Sequence, residues 1–217
     1  MLGAHDVEFG LAGTVALNLA LFGLLAWGMW KIDSRIESGK TLLSLALVAS
    51  FCIGGRVLLE PLPNISPVTV MLLIAGAHFG ARNGVALAVI VAVVSNLFLG
   101  HGLWTLYQAL GWSLVAVAGS YMATWLLDSE RQISIQRLMM AGFVAGFAFD
   151  WFVSLSVLHT QSASYLLPYL AQGLVYDLIH AFGNVAFAAW LGTSVSVSLG
   201  RHAEIGMEAR SDVTASV

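Results

Sequence analysis

The sequence predicts an all-α protein, a polytopic bundle of membrane-spanning helices. Three observations carry that prediction. Of 217 residues, 59% are hydrophobic and 10% charged, against about 25% charged in a soluble domain; mean hydropathy is +0.85. Seven apolar segments, some short, approach the roughly 20 residues that a span needs: 11–30, 41–60, 66–81, 83–100, 105–127, 136–158 and 169–195. Eight of the nine Lys and Arg residues fall outside these segments or at their ends, all on one side if the segments alternate across the membrane. A net charge of −3 with no basic stripe gives no sign of nucleic acid as a partner. The single cysteine, Cys52, leaves no disulfide framework, CxxC or Cys/His zinc spacing.

The chain divides into an extra N-terminal helix with a basic loop (1–40), a six-helix core (41–195) and a polar tail (196–217). The first apolar run, Leu11 to Trp30, lacks a basic leader and a small-residue cleavage site, so it reads as a retained span. Pro61, Pro63 and Pro67 make the next connection extended rather than helical. Only Ala81-Arg82-Asn83 separates spans three and four, which predicts a close helical hairpin. The stretch Ser95–Trp112 is the densest polar run between two apolar segments; Gly100 and Gly102 bracket His101, so the backbone can turn sharply there. Pro168 suits the first turn of the last helix, and the tail after Arg201 is expected to fray.

If seven spans alternate, Lys31, Arg35, Lys40, Arg82, Arg131, Arg137, Arg201 and Arg210 all share one side. The positive-inside rule then puts the N-terminus outside and the C-terminus inside. Arg56 is the exception. It sits at the outer end of span two, four residues before Glu60, so the two can pair on one helix face.

Other polar residues gather at the same outer level: Asn64, Asn96, His101, Trp104, Tyr107, Gln108, Trp112, Asp150, Trp151, Tyr176, Asp177 and His180. Asp177, His180 and Asn184 share one helix face by spacing, and Asp177 could simply pair with His180. Ionisable groups within a bilayer cost at least about 2.5–3.5 kcal/mol each at its centre, so they normally face a cavity or a partner. An outer aromatic belt explains Trp and Tyr at this level whatever the function; it does not explain amides and acids. His101 could merely cap its turn. Gly76, Gly80 and Gly84, the pair Gly142 and Gly146, and Ala46, Ser50 and Gly54 form small-residue faces suited to close helix contact.

The runs Leu62-Pro63-Asn64-Ile65-Ser66-Pro67-Val68-Thr69-Val70 and Gly76-Ala77-His78-Phe79-Gly80-Ala81-Arg82-Asn83-Gly84, followed by Ser95-Asn96, Gly100-His101-Gly102-Leu103-Trp104-Thr105, Gln108 and Trp112, resemble the substrate-binding S components of energy-coupling factor (ECF) vitamin transporters. The branch with a Gly-x-Gly-x-Trp-Thr hairpin, often assigned to cobalamin, looks nearest. The resemblance covers about residues 41–195. It implies a six-helix core in a bacterial or archaeal cytoplasmic membrane, with a vitamin site facing out. A coupling transmembrane subunit and two ATPases would be partners, with Ala46, Ser50 and Gly54 at the docking face. Leu103 and Tyr107 depart from that branch's pattern, and the first span lies outside it.

Together with the convergence of polar residues, this resemblance implies a non-enzymatic, vitamin-capturing membrane subunit without a resident cofactor, and it favours a corrinoid. The chain has no Gly-x-x-x-x-Gly-Lys loop to power transport. One alternative is a cobalt or nickel uptake subunit, suggested by outer histidines and acids. The other is an intramembrane enzyme using Asp150, Asp177 and His180 as acid and base, although no HExxH or GxSxG motif is present. A retinal photoreceptor is excluded, because Lys31 and Lys40 both lie outside the spans.

Overall fold

A computed structural model describes residues 11–31, 39–100 and 102–215; Arg35 and His101 lie outside the described residues. The described chain is helical with no strand: α1 (Leu11–Lys31), α2 (Gly39–Leu58), α3 (Val68–Leu99), α4 (Leu103–Tyr121), α5 (Ala123–Leu126), α6 (Ile135–Ser154) and α7 (Leu166–Ala215). Among the described residues, three helical stretches have the length and apolar composition of a membrane crossing: Val68–Leu99, Ile135–His159 and Ala163–Gly200. They mark a membrane protein.

The expected hairpin is present inside α3. Gly80 leaves the helix with φ 80° and ψ 169°, a conformation that glycine adopts without a Cβ penalty. The chain then reverses: a Cβ on Gly84 would stand 3.4 Å from the Gly76 Cα, whereas eight residues of straight helix would separate the two by about 12 Å. The first arm, Val68 to His78, is buried on all sides, as an all-round apolar helix must be. It is the axis of the bundle.

Glycine also sets how α4 meets this axis. A Cβ on Gly76 would overlap the Ala116 carbonyl, and one on Gly119 would overlap that of Leu73. The Gly142/Gly146 face of α6 packs on α7, where a Cβ on Gly146 would lie 3.0 Å from Asn184 Nδ2 and 3.1 Å from the Ala181 Cα. Asn184 Nδ2 in turn donates to the Gly142 carbonyl (3.1 Å). Close backbone approach of this kind is what small residues permit between helices in lipid.

Some expectations change. The segment after α2 is a run of turns rather than extended chain, with Leu62 N–H bonded to the Leu59 carbonyl (2.8 Å) and Ile65 N–H to that of Leu62 (3.3 Å). Proline fixes φ, which a turn accepts as readily as a strand. α7 does not fray at Arg201 but continues to Ala215. Ser196 and Leu199 are buried in the bundle, and Ser196 Oγ lies 2.9 Å from His78 Nε2, so the start of the tail belongs to the core. Arg131 Nη2 donates to the His78 carbonyl (3.1 Å), which sets the α5–α6 loop beside the Gly80 turn. Arg82 and Arg131 therefore share one end of the bundle, and Arg56 is at the other.

Candidate functional site

At the end opposite the Gly80 turn lies a cavity of about 250 Å³. α2 supplies Arg56; the turns after it supply Glu60 and Asn64; α4 supplies Gln108 and Trp112; α6 supplies Phe149 and Asp150; α7 supplies His180. Six of the side chains singled out from the sequence meet here: Arg56, Asn64, Gln108, Trp112, Asp150 and His180.

Arg56 anchors one wall. Its Nη1 donates to Ser95 Oγ (2.5 Å) and Asn96 Oδ1 (2.6 Å), and its Nη2 to Gln108 Oε1 (3.4 Å). Asn96 Nδ2 donates to Thr105 Oγ1 (2.8 Å) and Gln108 Oε1 (2.7 Å), locking α3 to α4 across the Gly100 turn. Gly100 has φ 91°, as that turn requires. The pairing of Arg56 with Glu60 does not occur among the described residues. Glu60 lies in the turns beyond the end of α2, off the helix face that carries Arg56, and charge-assisted bonds to fixed side chains hold the guanidinium better than one exposed carboxylate.

Trp112 joins this wall to the next. The Arg56 guanidinium carbon sits 4.8 Å from its ring centroid, a cation–π distance. Its other face stacks on Phe149 at 4.7 Å and 17°, and its Nε1 donates to Thr69 Oγ1 (3.3 Å). Thr69 Oγ1 lies 3.1 Å from His180 Nε2, and His180 Nδ1 lies 2.9 Å from Asp150 Oδ2. The indole can only donate, so Thr69 accepts from it. The Thr69 hydroxyl still has its proton and a second lone pair, so it can donate to or accept from His180 Nε2, while Nδ1 presents its proton to the Asp150 carboxylate. Asn64 Nδ2 closes the rim on Asp150 Oδ2 (3.5 Å) and the Tyr176 carbonyl (3.3 Å).

The remaining sequence candidates stand around the cavity. Asn96 is buried behind Arg56. Asp177 accepts from Trp151 Nε1 (3.0 Å) instead of pairing with His180, whose carboxylate partner is Asp150. Tyr107 turns to His159, with its OH 2.7 Å from Nε2. Tyr176 contributes only its carbonyl, its side chain being half exposed. The Trp104 ring folds against Gly102, where a Cβ would overlap it. Thr69, Ser95 and Phe149 were not among the candidates. The one signal for Thr69 is a lone hydroxyl opening an apolar run; Ser95 lay beside Asn96 in the polar stretch already noted.

Such a site can bind and orient a small polar ligand: a cation on an aromatic face, amides, and a carboxylate with its histidine line one chamber. Among the described residues no group of three His, Cys, Asp or Glu side chains could hold a metal ion.

The fold and site thus define a helical membrane protein with a polar, aromatic-walled cavity at one end. Residues 36–204 match the model of a family of unknown function, DUF6580, and the chain belongs to that family. Comparison with curated proteins and with solved structures gives no match.

Proposed function

We propose that the protein is the substrate-capturing subunit of an ECF-type uptake system for a vitamin-like solute. It would act in the cytoplasmic membrane of a bacterium or archaeon as a six-helix core with one added N-terminal span, its cavity facing outwards. The observation that carries this reading is the cavity itself. Polar side chains from α2, α4, α6 and α7 converge on one chamber at the end of the bundle away from Arg82 and Arg131. Placing the basic end in the cytoplasm puts the cavity outside. A coupling transmembrane subunit and two ATPases would energise release. The exposure of Ala46 and Ser50, with open space around Gly54, supports their assignment to the docking face.

The resemblance favours a corrinoid, but the cavity favours something smaller. At about 250 Å³ it falls below the roughly 300–1,000 Å³ of sites that enclose drug-sized ligands. A vitamin of one or two small rings, such as thiamine or biotin, suits the chamber; a corrinoid would overhang its mouth. The metal-uptake alternative gains no support from the described side chains, since His180 and Asp150 face each other.

Calorimetry on the purified protein with thiamine, riboflavin, biotin and cobalamin, and with Co²⁺ and Ni²⁺ as controls, tests the reading. Tight binding of one vitamin that weakens at least tenfold in Arg56→Gln supports it. Binding of metal alone overturns it, as does failure of every vitamin to bind protein that remains folded.

A further inference from the structure

A second hollow, of about 440 Å³, runs along the outside of the bundle between α4 and α6. Leu114, Ala118 and Met122 on one side, and Val144, Ala148 and Phe152 on the other, lie on helical stripes four residues apart. No lining residue is polar or charged. Leu114 and Val144 are more than half exposed, so the groove opens sideways to the surroundings of the bundle.

Its two ends differ. Phe149 closes one and forms a wall shared with the polar cavity. At the other, Trp125 lines the groove and Arg137 covers Trp125. The Arg137 guanidinium carbon is 5.9 Å from the ring centroid, and Nη1 donates to the Trp125 carbonyl (2.7 Å). Arg137 precedes Met140 and Ala141, both lining residues, by one helical turn on the same face of α6. The loop carboxylate Asp128 is turned to the backbone amides of Glu130 and Gln132 (3.0 and 2.7 Å). The groove is thus an apolar slot with a cation at one end.

Its shape selects the occupant. From Arg137 to Phe152 the helix rises about 22 Å, more than the half-thickness of about 15 Å of a bilayer's hydrocarbon core. A helix of that length, about 10 Å wide with side chains, would fill on the order of 1,700 Å³. The groove holds a quarter of that. It suits an extended hydrocarbon chain, and the cation with its neighbouring tryptophan suits an anionic head group at the membrane interface.

We propose that the α4–α6 groove is a binding site for an anionic phospholipid, with one acyl chain lying along the groove and the phosphate at Arg137. The site is independent of the cavity's ligand. The purified protein is titrated with phosphatidylglycerol and with phosphatidylcholine of the same chains, and bound lipid is counted by native mass spectrometry. Phosphatidylglycerol should be retained about fivefold better than phosphatidylcholine, the scale set by one arginine at an anionic surface. Arg137→Gln should abolish that preference while leaving phosphatidylcholine retention unchanged. Ala148→Phe should fill the slot and lower retention of both lipids; Val144→Trp makes the same test at a more exposed position should the first variant not fold. Equal retention of the two lipids by the unaltered protein overturns the proposal. So does a preference that survives Arg137→Gln, retention indifferent to filling the groove, or displacement of phosphatidylglycerol by an equal amount of free fatty acid.

Discussion

α4 meets α3 in two different ways along its length. Near Gly119 and Ala116 the contact is backbone against backbone, and the glycines at 76, 84 and 119 leave no room for another atom. Near Trp112 and Thr105 the contact is made by long side chains that hydrogen-bond across a gap. The first half sets how closely the helices approach; the second determines where they part. The cavity opens where the glycine spacing stops and side chains such as Trp112 must be housed. Steric contact tolerates no addition, whereas the polar contact tolerates trimming at a modest cost.

Substitutions at the two halves should therefore differ in kind. The largest effect is expected for Gly119→Val, which drives a branched side chain into the Leu73 backbone. Overpacking of this sort costs about 3 kcal/mol or more when the neighbour cannot yield. Monodisperse protein in mild detergent should be lost, and a normal yield would show that the seam can slide. Next comes Arg56→Met, which leaves the buried Asn96 Oδ1 without a donor, while Ser95 keeps the Val91 carbonyl and Gln108 keeps Asn96 Nδ2. We expect a loss of about 2–3 kcal/mol, read as a lower thermal unfolding midpoint at unchanged helicity. Trp112→Phe keeps a ring on Phe149 but removes the bond to Thr69. It should cost about 1 kcal/mol, and an effect as large as that of Arg56→Met would mean that the relay to His180 counts for as much as the arginine. Tyr107→Phe, at the exposed pair with His159, should change the midpoint by less than about 0.5 kcal/mol.

In the glycine-packed contact the α3 side is the more legible in the sequence, whereas Gly119 on α4 is not singled out by it. Four-residue spacing of small residues points to close packing whichever helix provides the partner, and Gly76, Gly84, Gly142 and Gly146 all serve that purpose. The hairpin at 81–83 was readable because a break in apolarity and a glycine coincide. Of the polar half, six of the side chains singled out in the sequence line one cavity, because buried polar groups must gather somewhere. Its pairings were not readable. Spacing along one helix proposed Arg56 with Glu60 and Asp177 with His180, both local. The partners found are 39, 40 and 52 residues from Arg56 and 30 residues from His180. Helical periodicity says which residues share a face and nothing about what that face meets. Thr69 was missed for the same reason: its two partners come from α4 and α7, and only the assembled bundle brings them to it.

The distances along the chain between these partners also have a bearing on biosynthesis. The Arg56 cluster is complete once α4 has emerged, since Gln108 is its last member. The Thr69 hydroxyl and the Asp150 carboxylate must wait for His180, which is 111 residues beyond Thr69. Until α7 is made, both groups are held in a nascent bundle without their imidazole, where an unmatched polar group is costly. A polypeptide that stops after α6 would carry the arginine cluster intact and the acidic side of the chamber exposed. That is the form a cell's quality control would find easiest to tell from the finished protein.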